Sequence, residues 1–439
     1  MNSSTPSWTK INQIDSVLIS KSDRPIVKFS LVFPSGSFSD PNGHEGLTNF
    51  MGDLLLRGTK TRTRVQIEDQ LDQLGASLNA YIGYHSLMID GYCLKRNLNP
   101  LIELTKDIMF NPTFPEEEIA KLKTELYADI KLRLEDDQDL ARHHFAKKVY
   151  QNNRYAKEVV GTLGSIETFT RDLIAQQYNS LIHAGGILFG ASGDLDEQEF
   201  SHLVTSLTKD LPSSEAKKIV DTSIEPVKGR NIILVDKPAR SQTQFFIGHP
   251  CIESTHKDMT ALQCFINGFA GSIFQAKYMQ EIRVKRGWSY GAYGSLDSKR
   301  DRGSFSLYTF PKTEDTLDAI ALSLELFEQA VHGDLMDDQL LEFSKTYMLR
   351  SYPFKMDTPE KILSRKISDR LLGRDDSYLE GYMDRVSALT CQSMREAAKK
   401  HLDPANVWIS VLCTANDLQT IDQRIVCNSK TTVAFDHDL

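Results

Sequence analysis

The chain has 439 residues, 40% of them hydrophobic and 25% charged, with a formal net charge of −8. No run reaches the roughly 18 apolar residues of a membrane span, and the length asks for two large units instead of one core. The acidic balance, with no basic tract longer than a pair such as Lys399-Lys400, argues against a nucleic-acid partner.

Residues 1–15 read as a lead-in, polar at Met1 to Ser7 and without the basic and apolar regions of a secretory signal, so the chain is expected to be cytoplasmic or a mature form with an added Met. Ser16–Ile19 and Ile26–Phe33 carry the β-branched and aromatic bias of paired strands, with Ser22-Asp23-Arg24-Pro25 as the turn. A helix follows over Gly46–Thr59, closed by Gly58, in which Leu47, Phe50, Leu54 and Leu55 are expected to be core. A helix at about 64–74, strands at 77–82 and 86–93, and helices near 99–110, 116–134, 137–150 and 165–178 come next. A buried strand at 186–194 and a helix near 197–207 end the first unit, expected to span residues 1–207.

Residues 208–230, rich in Lys, Ser, Glu and Pro, are the expected linker. The second unit, 231–439, opens with strands at 231–236 and 242–248 and then echoes the first. A helix near 259–269 answers the opening helix, and Gly287-Trp288-Ser289-Tyr290-Gly291-Ala292 answers Gly75–Ala80, 212 residues on. A strand at 303–308 and helices at about 313–331 and 337–349 continue the echo. Blocks of strands and helices in place of strict alternation give an α+β class with mostly antiparallel sheets.

Within the opening helix, Asn49, Gly52 and Asp53 stand at i, i+3 and i+4 and share one face. That is the spacing at which an inverted zinc motif, His-x-x-Glu-His, places two ligands and a general base, and all three groups are replaced. His44-Glu45 starts the other zinc motif, His-Glu-x-x-His, but residue 48 is Thr48. His143 and His144 are adjacent and so point to different helix faces, and His85 is alone between strands; all three are expected to be surface or hydrogen-bonded histidines. Six cysteines without a C-x-x-C pair suggest neither a zinc knuckle nor a disulfide framework and do not identify a compartment.

These segments resemble the pitrilysin/insulysin-type metallopeptidase family, and within it the short-chain members related to mitochondrial processing peptidase subunits. The resemblance rests on Ser35-Gly36-Ser37 with Asp40-Pro41, the helix from Gly46, Leu74-Gly75-Ala76, Tyr155 with Gly161–Ile166, Gly193-Asp194, Asp236-Lys237-Pro238 with Gln242-Thr243, and Arg283–Tyr290. It implies two homologous α/β-sandwich halves closing like a clam shell around a peptide that adds a strand to a sheet edge. It also implies a third zinc ligand downstream, a Glu, and 76 residues on from Asp53 the chain has Asp129. Asn49, Gly52, Asp53 and Asp129 thus depart from the family at every metal and base position. A neutral amide is a poor zinc ligand and a glycine cannot take a proton. Asp53 and Asp129 could hold a hard cation or be a polar pair left in a former site.

The resemblance also implies that Arg283 and Tyr290, seven positions apart, bind the substrate backbone and stabilise a tetrahedral intermediate; taken alone they would read as a solvated helix-end cation and a strand core residue. The expectation is a chain without metal or cofactor that supplies Arg283 and Tyr290 to a homologous, zinc-bearing partner in a heterodimer acting on peptides, or that self-associates as a homodimer. A bacterial periplasmic setting fits such pairs. The other reading is a structural or peptide-binding scaffold with no catalytic role; the remaining one is a self-sufficient peptidase using an unusual metal.

Overall fold

The computed structural model describes residues 6–214, 223–419 and 421–437. The centre of the expected linker, residues 215–222, lies outside them.

The first half runs β1 (Thr9–Ile11), β2 (Ile14–Ser20), β3 (Ile26–Phe33), α1 (Leu47–Leu55), α2 (Arg64–Leu74), β4 (Ser77–Ile82) and β5 (Leu87–Leu94). It continues through α3 (Leu98–Phe110), α4 (Glu116–Arg133), α5 (Asp137–Tyr150), α6 (Leu163–Glu167), α7 (Arg171–Leu181), β6 (Leu188–Gly193) and α8 (Glu197–Thr208). The second half has β7 (Arg230–Asp236), β8 (Gln244–Pro250), α9 (Met259–Ala270), α10 (Lys277–Met279), β9 (Ala292–Asp297), β10 (Ser304–Thr309), α11 (Thr316–His332) and α12 (Asp338–Ser351). Then follow α13 (Pro359–Leu371), α14 (Asp376–Glu380), α15 (Tyr382–Ser387), α16 (Cys391–His401), β11 (Val407–Cys413), α17 (Ile421–Arg424) and β12 (Ser429–Ala434). No helix among the described residues is long and apolar enough to cross a membrane.

The strands form two six-stranded sheets in the orders β1-β2-β6-β3-β5-β4 and β12-β7-β11-β8-β10-β9. In both, the two inner pairs that close the repeat, β2 with β6 and β7 with β11, are parallel, while the pairs from there to β4 and β9 are antiparallel. The fold is therefore the α+β pair of similar halves that the sequence echo implies. Only the outermost strands differ: β1 lies antiparallel to β2, whereas β12 lies parallel to β7.

Each half has its own core between one sheet face and its helices, and each sheet has its opposite face covered by a helix from the other half. Ile232 and Leu234 of β7 enter the second half's own core, while Ile233 and Val235 pack with Leu140, Phe145 and Val149 of α5. Val17 and Ile19 of β2 likewise meet Leu363 and Ile367 of α13. This double burial explains the unbroken apolar run Ile232–Val235, since a strand covered on both faces has no solvent side to alternate with. Gly190 permits the approach of α13: a Cβ there would stand 2.5 Å from Leu363 Cδ1.

Three local expectations are corrected. The opening helix stops at Leu55 and not at Gly58, which has φ +149° and bridges to Thr63 in a turn. The helix expected over 165–178 is two, because the Thr170 side chain accepts from Leu173 N and starts α7 afresh. The strand answering β4 begins at Ala292: Gly75 (φ +54°) and Gly287 (φ +68°) do match as left-handed glycines, but β4 follows the first at Ser77 while Trp288–Gly291 intervene after the second.

Candidate functional site

The start of α1 is fixed by a buried carboxylate instead of by a capping side chain of its own. Asp40 accepts hydrogen bonds from Gly46 N and Thr48 N, both at 2.8 Å, and from Thr48 Oγ1 at 2.5 Å, meeting the free amides of the first turn. Burial pushes the Asp40 carboxyl up to about 6 against those bonds. Gly46, at φ +90°, lies against Gly161, where a Cβ would come within 2.5 Å of backbone, and Ser165 Oγ donates to Glu45 O at 2.7 Å. The Gly161–Ser165 motif thus serves to seat α1. Leu47, Phe50, Leu54 and Leu55 are core, as the periodicity predicts.

On the face of α1 opposite that core, Asn49 Nδ2 lies 3.4 Å from Asp53 Oδ2. Gly52 is buried beneath β4, and a Cβ on it would stand 2.4 Å from Ile82 Cδ1 and 3.4 Å from Cγ1. The place of a residue-52 Cβ is taken by the flexible end of the half-buried Ile82 side chain, which would have to turn aside to admit one. Asp53 is half-buried, and burial pushes its carboxyl up to about 6; Arg57 opposes this, and Glu125 and Asp129 add to it. Arg57 grips Glu125 of α4 through two bonds, of 2.5 Å and 3.1 Å, and lies 3.7 Å from Glu118. Asp129, one helical turn beyond Glu125, is exposed. The gap between α1 and α4 is therefore bridged by a guanidinium.

Arg283 and Tyr290 sit elsewhere. Past α10 the helix widens into a π-helical segment, Gln280–Lys285, that carries Arg283; its guanidinium lies over the Phe274 ring at 5.9 Å. Gly287 N donates to Arg283 O at 3.1 Å and turns the chain. Tyr290 falls in the segment the first half lacks and is 81% exposed, so it is not a strand core residue. Below it Ser289 Oγ donates to Gly291 O and accepts from Phe310 N, which holds the segment to the sheet. Among the described residues no hydrogen bond or ion pair links Arg283 or Tyr290 to the α1 face.

Residues 16–163 match Insulinase (Peptidase family M16), and residues 168–348 match the Peptidase M16 inactive domain. The chain belongs to the insulinase-type M16 peptidase family.

Its similar proteins within and around the M16 family include an uncharacterised zinc protease of Rickettsia bellii, 28% identical over 68% of this chain and 71% of that one. A protein of Helicobacter pylori named non-peptidase homolog YmxG is 22% identical over 86% of each chain. Among solved structures, the peptidase M16 inactive domain from Pseudomonas fluorescens superposes with a TM-score of 0.85 at 20% identity, over 98% of both chains. A protease from Helicobacter pylori does so at 0.79, with 16% identity, over 93% of this chain and 98% of that one.

The M16 family implies a catalytic zinc on α1, and the donor set here does not fit one. One amide, one half-buried carboxyl and one exposed carboxylate replace two histidines and a glutamate, and Gly52 offers no side chain at the base position. The histidines singled out in the sequence, His44, His85, His143 and His144, are engaged as structural groups. His44 Nδ1 pairs with Thr168 Oγ1 at 2.7 Å, and His85 Nε2 with the Tyr155 hydroxyl at 2.6 Å. His143 Nδ1 meets Glu158 at 2.5 Å; burial raises the Glu158 carboxyl, but His143 and Arg133 outweigh it and hold it at about 2. His144 reaches Phe435 O and is pushed down to about 4 by burial.

Ile82, Arg57 and Lys299 are the residues that sequence reasoning missed. Arg57, four residues past Asp53, carried a signal, since i, i+4 neighbours face one another. Lys299, in the β9–β10 connection, projects into the first half among Tyr84, Tyr150 and Tyr155, with ring distances of 4.6, 5.5 and 5.2 Å, and pairs with Asp297 at 2.9 Å. Nothing local in the sequence marks that cage.

Proposed function

We propose that this M16 chain is a non-catalytic subunit of a two-chain metallopeptidase, carrying no zinc on α1 and lending Arg283 and Tyr290 to a homologous partner with His-x-x-Glu-His. The observation that carries the reading is the contrast between the two places. The α1 face has an amide and a glycine where a ligand and a base would stand, with Arg57 paired to Glu125 beside it, whereas Tyr290 is 81% exposed and Arg283 lies on the surface with no carboxylate partner among the described residues. A guanidinium and a phenol directed outward can donate to the carbonyl oxygen of a bound peptide as it becomes an oxyanion, and a donor so placed is worth roughly 3–4 kcal/mol of barrier. The free edges of β4 and β9, each at the end of its sheet, offer backbone groups to which an extended peptide can add.

The test is reconstitution. The chain is purified alone and with a partner bearing the zinc motif, and peptide cleavage and zinc content are measured. The mixed complex should cleave, with zinc following the partner, and Arg283→Ala should lower its kcat by about 10²-fold or more. Zinc-dependent cleavage by this chain alone, or a fully active mixed complex with Arg283→Ala, would refute the reading. The name of the Helicobacter pylori relative, a non-peptidase homolog, favours a second reading, a scaffold or peptide-binding subunit, under which Arg283→Ala and Tyr290→Phe are silent in every peptidase assay.

A further inference from the structure

Away from α1, the described residues bring together one group of three metal-ligating side chains: His256 and Asp258 in the turn that starts α9, and His401, the last residue of α16. One ring nitrogen from each histidine and one carboxylate oxygen lie within 4.8 Å of one another. His401 Nε2 is 2.8 Å from Asp258 Oδ2, His256 Nδ1 is 3.9 Å from the same oxygen, and the two rings meet edge to face at 4.7 Å. A zinc-sized ion with bonds of about 2.0–2.2 Å in tetrahedral geometry sets its ligand atoms roughly 3.3–3.5 Å apart. The separations of 2.8 and 3.9 Å bracket that value, and the remaining pair lies within 4.8 Å.

The two sides of the group are held by regular structure, one by the head of a twelve-residue helix and the other by the tail of an eleven-residue one. His401 is only 10% exposed at its side chain, while His256 and Asp258 are about a quarter exposed, so the group is reached from solvent on their side. The competing occupant is Lys400, whose Nζ lies 3.1 Å from Asp258 Oδ2. Its side chain is 57% exposed, and an ion pair so open to water contributes little, so it yields readily to a divalent ion. Asp258 N also donates to His256 Nδ1 at 3.1 Å, a second contact that an ion taking that lone pair would displace.

The geometry points to a second-half site for a divalent cation of the zinc class, held by His256, Asp258 and His401 and guarded by Lys400. An ion there ties the head of α9 to the tail of α16. Because α9 packs against α10, it steadies the segment that carries Arg283.

The test uses the full chain stripped of metal and titrated with Zn²⁺ by calorimetry and with Co²⁺ by visible absorption. One equivalent of each is expected to bind, with a rise in melting temperature. His401→Gln and His256→Gln should each weaken binding by about tenfold or more, and Lys400→Gln should tighten it. Melting of each variant without metal confirms that it folds, and the double variant Asp53→Asn, Asp129→Asn should bind as the parent does. Absence of stoichiometric binding, binding untouched by His401→Gln, or binding lost in the Asp53, Asp129 variant would each overturn the assignment. A Lys400→Gln variant of unchanged affinity would overturn the guarding role of that lysine.

Discussion

Ile82 Cδ1 stands 2.4 Å from the place a Cβ on Gly52 would occupy, so the end of β4 and the middle of α1 share one volume. Gly52→Glu should therefore destabilise the chain by about 1 kcal/mol, the low end of the cost of overpacking, because the neighbour is the flexible end of a half-buried side chain. Trimming the neighbour in the same molecule, Ile82→Ala, should recover part of that loss. Urea unfolding of the two single variants and the double variant closes a mutant cycle, and a coupling energy near zero would show that the two residues do not compete.

Asp53 gives the fold a pH dependence whose direction is opposite to that of a salt-bridged carboxylate. Its carboxyl titrates at about 6 in the folded chain and near the ordinary 3.9 when unfolded, so between those values the folded state holds more protons. The contribution of Asp53 to stability is thus greatest below pH 4, falls as pH rises towards 6, and stays at its lowest above. Asp53→Asn removes the charge that burial disfavours. It should be more stable than the parent by about 1–2 kcal/mol at pH 7.5 and match it near pH 4, as read by denaturant midpoints at the two pH values. Asp40, also raised to about 6, is present in both proteins and drops out of the difference.

Arg283→Ala and Tyr290→Phe should leave the isolated chain's stability within about 0.5 kcal/mol of the parent, because both side chains are exposed. Thermal melts of the single chain check this. A large loss would mean that the π-helical segment depends on the Arg283 contact with Phe274.

Lys299 should tie the halves together more through its charge than through its bulk. Lys299→Met keeps most of the stem but removes the ammonium from among Tyr84, Tyr150 and Tyr155, and should cost about 1–2 kcal/mol. Hydrogen exchange should speed up at Tyr84–Ser86 and at Ser298–Gly303 and nowhere else. Uniform protection in parent and variant would show that the cage is incidental.

The strands and most helices of the first half were legible because their signals are local. Ile26–Phe33 is rich in β-branched and aromatic residues and is bounded by Pro25 and Pro34, and α2 is framed by the Thr63 capping box and Gly75. The replacement of the zinc groups at Asn49, Gly52 and Asp53 was legible for the same reason, being a matter of residue type at fixed spacing. What fills the place was not, since Ile82 arrives from the end of another strand and Glu125 from α4, and neither contact leaves a periodic trace. The exposure of Tyr290 was hidden because Trp288–Gly291 reads as the start of β9, and only the pairing of Ala292 with Thr309 shows where the strand begins. Past Leu349 no element is predicted from the sequence, although α13 and α16 run 13 and 11 residues, and α13 owes its place to a sheet whose strands lie more than 150 residues earlier.

The exchange of α5 and α13 bears on how such a chain could have arisen and how it comes apart. If the halves descend from a doubled gene, neither copy can now be recovered by dividing the product. The second sheet without α5 would show Ile233, Val235 and Phe246 to water, and the first without α13 would show Val17, Ile19 and Val32. Heating should accordingly undo both halves in one transition. The two sheets are tied to each other by interlocked helices, so neither half can shift without disturbing the core of the other.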